Sequence, residues 1–351
     1  MSAADETSAV REAHRLDETA LASYLESHLP GYAGRLTVRQ FKGGQSNPTY
    51  VLETPARRYV LRKKPPGKLL PSAHAVEREY KVIRALAGTG VPVPEALLLC
   101  QDESVVGTAF YVMSLVEGRV FRDPRLPDHS PAERAAIYDA MNEVMARLHG
   151  VDYAAVGLGD FGKPGNYFAR QIGRWGKQYR GAETERIEAM ESLLAWLPEN
   201  IPGDDETRIV HGDFRLENMI FDADEAKVVA VLDWELSTLG HPLADVAYNC
   251  LLYHYEHPRQ GGLTKIDFAT SGIPSEADYL AAYAERTGRD NIEANFGFCL
   301  AFSLFRLASI TQGVYKRGLD GNASSERALS YGPLARTLAE TAWSIVETRC
   351  R

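Results

Sequence analysis

The residues best suited to chemistry in this 351-residue sequence form one short string, HGDFRLEN at positions 211–218. Its skeleton is H-G-D-x-x-x-x-N, in which Asp213 precedes Asn218 by five residues. In phosphoryl-transfer loops an aspartate at the first of these positions accepts the proton of a substrate hydroxyl, and an asparagine at the second binds Mg²⁺. The spacing therefore predicts Asp213 as a catalytic base and Asn218 as a metal ligand.

A second acidic position follows fifteen residues after Asn218, where an apolar segment ends at Asp233. Magnesium prefers hard oxygen ligands and usually takes only one or two from protein carboxylates. An aspartate beside the asparagine can ligate the metal that bridges ATP phosphates. Each motif alone is compatible with an ordinary turn or strand end. Because both follow apolar strands and occur in this order, they predict a site for ATP and Mg²⁺.

A basic side chain for the phosphates is predicted on the strand RYVLRK at positions 58–63. Kinases hold the ATP phosphates with a strand lysine that pairs with a glutamate of the following helix. Period-two alternation places Arg62 and Lys63 on opposite faces of this strand. A guanidinium can bind phosphate and carboxylate bidentately, which favours Arg62, with Lys63 as the alternative.

The glutamate partner is expected on a helix over residues 72–87, which carries both Glu77 and Glu79. Glu79 lies three residues after Val76 and four before Ile83, so it shares their apolar face. Glu77 projects away from that face. We therefore predict that Glu79 pairs with the strand cation.

Main-chain groups at two places would complete the nucleotide site. A glycine-rich turn joins the first two predicted strands, where its amides and one serine hydroxyl could reach the ATP phosphates. The strand at 109–114 would serve as a hinge, whose main chain meets adenine. The residues assigned to nucleotide binding here are Gly43, Gly44, Gln45, Ser46, Met113 and Ser114.

The elements that must position these residues differ between the two parts of the chain. Strands alternate apolar and polar residues early in the sequence, and one helix interrupts them. The predicted strands are 36–41, 49–53, 58–62, 96–100 and 109–114. Beyond Gly118 the pattern becomes helical, apart from short predicted strands at 208–210, 219–221 and 228–232, and a capping box from Ser130 to Glu133 opens the first helix of this part. We predict a nucleotide-binding lobe over residues 1–114 and a catalytic and acceptor-binding lobe over 115–351.

Two groups of polar residues in the second lobe have alternative interpretations. Asp245 opens a helix after Gly240-His241-Pro242, where it is either an N-cap or a brace beneath the catalytic loop. Cys250, His254 and His257 have spacing compatible with a metal site. No pattern for a fourth ligand accompanies them, so ordinary helix packing is favoured.

Composition indicates an ordinary soluble globular protein, with 45% hydrophobic and 25% charged residues. The net charge of −8 argues against a nucleic-acid partner, which would call for a basic excess. The longest apolar run, at 296–305, is too short to cross a membrane. Four widely spaced cysteines and a polar N-terminus suit a cytoplasmic location. These features leave the oligomeric state open.

Together these motifs resemble the aminoglycoside phosphotransferase family, which includes choline kinase relatives, over residues 36–320. The resemblance is closer to the kinase-like domain fused to some acyl-CoA dehydrogenases, through FKGGQSNP at 41–48, LPSAH at 70–74 and DWELSTLG at 233–240. It implies an α+β, protein-kinase-like two-lobed fold, with an antiparallel sheet and one helix in the first lobe and a larger helical second lobe. Arg62 in place of lysine and Asp-Trp-Glu in place of Asp-Phe-Gly depart from the pattern.

The resemblance implies ATP- and Mg²⁺-dependent transfer of a phosphoryl group to the hydroxyl of a small molecule. The fused-domain likeness points to a 4-hydroxyacyl-CoA or a hydroxy acid as acceptor. In this fold the C-terminal helices wall the acceptor site, and residues 296–351 hold seven basic and four acidic residues. A basic excess suits an anionic acceptor and repels a polycationic one. The alternatives are an aminoglycoside or choline-like kinase and a catalytically inactive nucleotide-binding module.

Overall fold

Antiparallel strands dominate the first part of the chain in the computed structural model, which describes residues 6–42, 47–65, 74–321 and 326–350. Six strands form one sheet in the order β1-β2-β3-β4-β6-β5, and all neighbours are antiparallel. The strands are β1 (Thr7–Ser8), β2 (Thr37–Phe41), β3 (Thr49–Glu53), β4 (Arg58–Lys63), β5 (Ala96–Cys100) and β6 (Phe110–Ser114).

Two helices flank the sheet residues that matter for the site. In α1 (Glu18–His28), Leu21 and Leu25 are buried in a cluster that includes Tyr59 and Leu61 of β4. The helix begins where Asp17 accepts a hydrogen bond from the Ala20 amide at 2.9 Å. Because side chains alternate along a strand, Arg62 lies on the opposite face of β4 from this cluster.

The second helix, α2 (Val76–Leu86), buries a stripe that contains one charged residue, Glu79. Its other buried members, at helical spacing, are Val76, Val82, Ile83 and Leu86. The Glu79 side chain therefore faces inward, as predicted from the sequence.

Helices make up most of the remaining chain. They are α3 (Pro131–Gly150), α4 (Tyr167–Ala182), α5 (Glu188–Glu199), α6 (Pro242–Asn249), α7 (Phe268–Ser271), α8 (Glu276–Thr287), α9 (Ile292–Leu319) and α10 (Gly332–Arg349). Short 3₁₀ turns cover Glu12–His14, Leu216–Asn218, Trp234–Leu236, Cys250–Tyr253 and Glu326–Tyr331. The predicted capping box is present, since Ser130 accepts from the Glu133 amide and Glu133 accepts from that of Ser130.

Four further strands form two small antiparallel pairs. The first pair is β7 (Arg208–Val210) with β10 (Thr238–Gly240), and the second is the hairpin of β8 (Met219–Phe221) and β9 (Val228–Val231). Neither β1 nor β10 is predicted from the sequence. Both are two or three residues long and are defined by pairing with distant segments.

Contacts divide the chain into two compact units that interleave along the sequence. Unit 1 contains Met1–Val120, Val156–Leu158 and Glu217–Ser237. Unit 2 contains Phe121–Ala155, Gly159–Leu216 and Thr238–Arg351. Unit 1 therefore takes its β8–β9 hairpin from the middle of the sequence. The lobe boundary at residue 114 stays a prediction.

The apolar run at 296–305 lies within α9, the long central helix of unit 2. By length and apolarity α9 is the one helix of the described ranges that meets the requirements for crossing a membrane, but 78% of its most apolar window is buried inside the protein. Its contacts are with α10, α4 and α6. These are the properties of a core helix in a globular domain.

Candidate functional site

The loop that follows β7 in unit 2 is held by a buried carboxylate. Asp245 lies in the first turn of α6 and is 2% exposed. It accepts the main-chain N–H of His211 at 2.5 Å and that of Gly212 at 2.8 Å. The N-cap of α6 is His241, whose ring nitrogen accepts from the Leu243 amide at 3.3 Å. Of the two interpretations of Asp245, the structure shows the brace.

Neighbouring groups keep this carboxylate ionised in spite of its burial. Burial by itself raises the pKa of Asp245, but hydrogen bonds from His149 and from the Gly212 amide, with the His149 charge, bring that pKa below its ordinary value. The Nε2 atom of His149, on α3, lies 3.4 Å from the carboxylate. Burial lowers the pKa of His149 itself, against the influence of Asp245.

Gly212 is fixed from its carbonyl side as well. Arg306 of α9 is buried, and its Nη2 atom donates to the Gly212 carbonyl at 2.7 Å. The guanidinium packs against the rings of Trp175, at 5.6 Å, and Tyr248, at 5.4 Å. Gly212 has a φ of 82°, a left-handed conformation that glycine adopts without strain. The loop geometry thus depends on a glycine in the H-G-D string.

Asp213 is the next residue, and its carboxylate contacts a cation and a phenol. The Nε atom of Arg215 lies 3.1 Å from its Oδ1 atom, and the Asp213 side chain is 13% exposed. Tyr248 is hydrogen-bonded to Asp213, and burial together with the Asp213 charge raises the pKa of that tyrosine. The Asp213 amide donates to Nδ1 of His211 at 3.2 Å. These contacts orient the predicted catalytic base.

In unit 1 the strand cation and the helix glutamate form an ion pair. The Nε atom of Arg62 lies 3.0 Å from Oε2 of Glu79. The Nη2 atom of the same side chain lies 2.7 Å from Oδ1 of Asp233 and 3.2 Å from Oε2 of Glu235. Arg62 therefore contacts three carboxylates at once. Glu235 was not among the predicted site residues.

Lys63, the alternative to Arg62, is on the other face of the sheet. Its Nζ atom donates to the Val106 carbonyl at 2.6 Å, and burial lowers its pKa. The structure thus separates Lys63 from Glu79, because consecutive strand residues point to opposite faces.

Glu79 has two further partners that the sequence analysis did not single out. Asn47 donates to its Oε1 atom at 2.7 Å, and the Tyr111 hydroxyl donates to its Oε2 atom at 3.1 Å. His74 in turn donates to the Asn47 side-chain oxygen at 3.0 Å. Burial raises the pKa of Glu79, against the opposing charge of Arg62, to about 7. Such contacts between distant segments leave no periodic signal in the sequence.

The β8–β9 hairpin places the two predicted metal ligands at the same end. The Leu232 amide donates to the Asn218 carbonyl at 2.8 Å, so Asp233 follows the strand end directly opposite Asn218. The Asn218 side chain supplies an amide oxygen, and the carboxylate of Asp233 is 34% exposed. These are the hard oxygen donors that Mg²⁺ takes from proteins, in the usual small number. The residues present therefore fit a magnesium ion.

The other candidate metal site has no support in the described part of the chain. No group of three or more His, Cys, Asp or Glu side chains there is arranged to hold a metal ion. Cys250 is buried, and Nε2 of His254 contacts Glu276 at 2.6 Å. This agrees with ordinary helix packing.

The residues predicted to bind the nucleotide through their main chain fall into two groups, one outside the described residues and one in β6. Gly43, Gly44, Gln45 and Ser46 lie outside the described residues. Met113 is buried and pairs with Val60. The Ser114 amide donates to the Glu95 carbonyl at 2.9 Å, and the Ser114 hydroxyl accepts from the Glu95 amide at 2.9 Å. The amide of Ser114 is thus already used within unit 1.

Four of the seven cations in residues 296–351 are either buried or paired with a carboxylate. Arg306 is buried and donates to the Gly212 carbonyl. Three of the other C-terminal cations form ion pairs: Arg336 with Glu185, Arg349 with Glu276 and Lys316 with Asp320. The net charge of residues 296–351 therefore overstates the positive charge that an acceptor would meet, because it counts charges without their partners.

Comparison with known proteins identifies the family. Residues 37–290 match the model of the phosphotransferase enzyme family, APH. The chain is 49% identical over 340 residues to acyl-CoA dehydrogenase family member 10 of Mus musculus, covering 96% of this chain and 32% of that protein. It is 45% identical over 337 residues to family member 11 of Homo sapiens, covering 93% and 43%. The chain thus spans less than half the length of either relative.

Solved structures agree with this assignment. A crystal structure from Ralstonia eutropha, provisionally named an aminoglycoside phosphotransferase, has 53% identity and a TM-score of 0.87, covering 95% of this chain and 99% of that one. The aminoglycoside phosphotransferase APH(4)-Ia, solved with ADP and hygromycin B, has 17% identity and a TM-score of 0.60, covering 92% and 97%. The second likeness confirms the α+β kinase-like fold, with its N-terminal antiparallel sheet and larger helical C-terminal part. By sequence and by structure, the chain belongs to the phosphotransferase enzyme family.

Proposed function

We propose that this protein transfers the γ-phosphoryl group of ATP to the hydroxyl of a small molecule, with Asp213 as the catalytic base. The observation that carries the proposal is the brace on the catalytic loop. Asp245 accepts both the His211 and the Gly212 amides, and Arg306 donates to the Gly212 carbonyl. A loop fixed at consecutive peptide groups presents the next side chain in one orientation, which is what general base catalysis requires.

The transfer forms one bond and breaks another. The acceptor oxygen bonds to the γ-phosphorus, the bond from that phosphorus to the bridging oxygen breaks, and ADP leaves. Asp213 accepts the hydroxyl proton. Arg62, held by Glu79 at 3.0 Å, supplies positive charge for the phosphates. Asn218 and Asp233 would hold Mg²⁺, which when bound neutralises phosphate charge.

For the acceptor we propose a 4-hydroxyacyl-CoA or a hydroxy acid. The support is the sequence identity of 45–49% to segments of two proteins named acyl-CoA dehydrogenase family members. We expect a kinase-like domain that is joined to an acyl-CoA dehydrogenase to act on a compound related to the substrate of that dehydrogenase. The chain covers only 32% and 43% of these relatives, so their own activities are not carried over.

The test is ATP turnover across hydroxyacyl-CoAs, hydroxy acids, aminoglycosides and choline, with and without Asp213→Asn. Removal of a positioned base typically costs about 10²–10⁴ in rate. We expect turnover of a hydroxyacyl-CoA or hydroxy acid to fall by such a factor while ADP affinity is unchanged. Asp224→Asn, in the exposed turn of the β8–β9 hairpin, is the matched control.

Three results would contradict the proposal: one concerns the catalytic base, one the acceptor class and one the enzymatic activity. Equal turnover in wild type and Asp213→Asn would remove Asp213 as the base. Turnover of kanamycin-like amines alone would favour an aminoglycoside kinase. ADP binding without turnover of any acceptor would favour the inactive nucleotide-binding module.

A further inference from the structure

The helix α4 concentrates positive charge in an acidic protein. Its sixteen residues, YFARQIGRWGKQYRGA, contain four cations and no carboxylate, whereas the whole chain has a net charge of −8. Three of the cations, Arg170, Arg174 and Lys177, recur at helical spacing. Residues separated by three or four positions share a helix face. These three side chains, here called the α4 basic face, therefore lie together.

The charge of the α4 basic face is not neutralised within the described residues. None of its three members has an ion pair with a carboxylate of residues 6–42, 47–65, 74–321 or 328–350, although short ion pairs are common elsewhere in unit 2. The fourth cation, Arg180, behaves differently and pairs with Glu183 and Glu191. Uncompensated cations on one face attract an anion from solution.

The same face lines a shallow groove of about 670 Å³ that is wide open to solvent and is formed by residues of α4 alone. Its lining consists of Ala169, Arg170, Gly173, Arg174, Lys177 and Gln178. Gly173 has no atom near the position that a side chain would take, so the groove is open between the cations. Arg170 is oriented by a bond from Nη2 to the Lys163 carbonyl at 2.5 Å, and its buried Nη1 has no acceptor among the described residues.

One side chain joins the α4 basic face to the catalytic loop within unit 2. The guanidinium of Arg174 lies 5.3 Å from the ring of Trp175. The same ring contacts Arg306 at 5.6 Å, and Arg306 donates to the Gly212 carbonyl beside Asp213. The groove is thus connected to the proposed base through a short chain of packed groups.

We propose that the α4 basic face binds the phosphate-bearing end of the acceptor, as in the adenosine 3′-phosphate 5′-diphosphate end of a coenzyme A thioester. This inference rests on the proposed function and names the residues that would recognise its acceptor class. Arginine and lysine side chains are suited to phosphate oxygens. The carbonyl-anchored Arg170 gives the face one oriented donor.

The test is direct binding of coenzyme A by calorimetry, at low salt and with saturating ADP and Mg²⁺ so that the nucleotide site is blocked. Coenzyme A, dephospho-coenzyme A and pantetheine are compared on wild type and on Arg170→Gln/Arg174→Gln/Lys177→Gln. We expect the triple variant to bind coenzyme A about ten- to one-hundredfold more weakly, since one exposed ion pair contributes a factor of up to about five. Wild type should prefer coenzyme A over dephospho-coenzyme A, and both over pantetheine.

Two controls separate a specific site from general charge and from loss of structure. Arg84→Gln/Lys227→Gln/Lys265→Gln removes three exposed cations elsewhere and should leave coenzyme A affinity unchanged. Arg170→Gln/Lys177→Gln keeps the contact of Arg174 with Trp175, and it should still weaken binding without lowering the melting temperature.

Failure of this inference is distinguishable from failure of the proposed function, because binding is measured without turnover. If coenzyme A binding depends on α4 but the protein has no kinase activity, the α4 basic face is supported as a binding site. Only the proposed kinase activity is then contradicted. Equal affinity of wild type and both α4 variants would overturn the inference. Two further results would overturn it and would indicate a surface for other anions. One is that the α4 variants lose affinity for citrate by the same factor as for coenzyme A. The other is α4-dependent binding to phosphatidylserine vesicles without binding to coenzyme A.

Discussion

Arg62 occupies a position at which kinases carry a lysine, and its geometry explains the difference. Nε contacts Glu79 while Nη2 contacts Asp233 and Glu235. A guanidinium presents donors in several directions, whereas an ammonium is a single point charge. The arginine thus suits a site with three carboxylates. Alternation along β4 predicts that Arg62 and Lys63 face opposite ways, but only the packing of α2 decides which of them meets Glu79.

The pKa of Glu79 leads to a prediction about pH. In the folded protein this pKa is raised from 4.5 to about 7, chiefly by burial, so the folded state binds the proton more tightly than the unfolded chain. The stability from this group is then fully present below pH 4.5 and is lost as the pH rises through 7. At about 1.36 kcal/mol per pKa unit, the loss is roughly 3 kcal/mol.

We therefore expect Glu79→Gln to flatten the decrease in the free energy of unfolding between pH 5 and pH 8, measured by urea denaturation. Glu77→Gln is the control, because Glu77 lies on the same helix and pairs with Lys64 at 2.9 Å. It should keep the wild-type pH dependence. Parallel curves for wild type and Glu79→Gln would show that Glu79 is not the titrating group.

At the scale of elements, local sequence signals predicted most of the helices and strands in the structure. The capping box of α3, the buried face of α2 and the central strands all follow from neighbouring residues. The strands β1 and β10 could not be predicted, because each exists only through pairing with β2 or β7. The same holds for Asn47, which meets Glu79 across thirty-two positions. Such long-range contacts depend on the tertiary fold and leave no local pattern.

The brace between α6 and the loop at residues 211–213 gives a prediction at this scale. Asp245→Asn replaces one acceptor oxygen with an amide group, so one of the two loop N–H groups loses its partner. A buried unsatisfied donor costs about 1–3 kcal/mol, and we expect the free energy of unfolding to fall by that amount. Turnover should fall as well, because the orientation of Asp213 depends on the loop.

Urea denaturation and ATP turnover measure both effects of Asp245→Asn. Asp139→Asn provides the matched control, since Asp139 pairs with Arg286 at the surface and is 61% exposed. An exposed pair contributes about 1 kcal/mol or less. If the two variants lost equal stability and kept full turnover, the brace would have no special role.

At the scale of the whole molecule, the chain enters each compact unit more than once. Residues 217–237 return to unit 1 long after its six-stranded sheet has been completed. The junction is made by main-chain bonds, since the Arg119 amide donates to the Phe221 carbonyl and the Phe221 amide to that of Arg119, both at 2.8 Å. Arg119 also donates through its side chain to the Asp222 carbonyl at 2.8 Å.

Gly118 tests this junction. A Cβ atom there would lie 2.1 Å from the Phe221 carbonyl oxygen and 2.6 Å from a methyl group of Ile220. Gly118→Ala must therefore displace the hairpin, and overpacking of this kind costs about 1–3 kcal/mol or more. We expect a lower midpoint in thermal unfolding. Gly203→Ala, where no atom lies within 4 Å of the new methyl group, should keep the wild-type midpoint. Similar midpoints for both variants would contradict the predicted junction.

The late return of residues 217–237 also sets an order on synthesis. A ribosome must deliver the chain as far as Ser237, about two thirds of its length, before unit 1 has all its segments. Until then the peptide groups of Arg119 that pair with Phe221 have no partner strand on the nascent chain. N-terminal domains usually fold first during translation. Here unit 1 cannot be completed in that way, because the main-chain groups of Arg119 have no partner until Phe221 is synthesised, long after the six-stranded sheet.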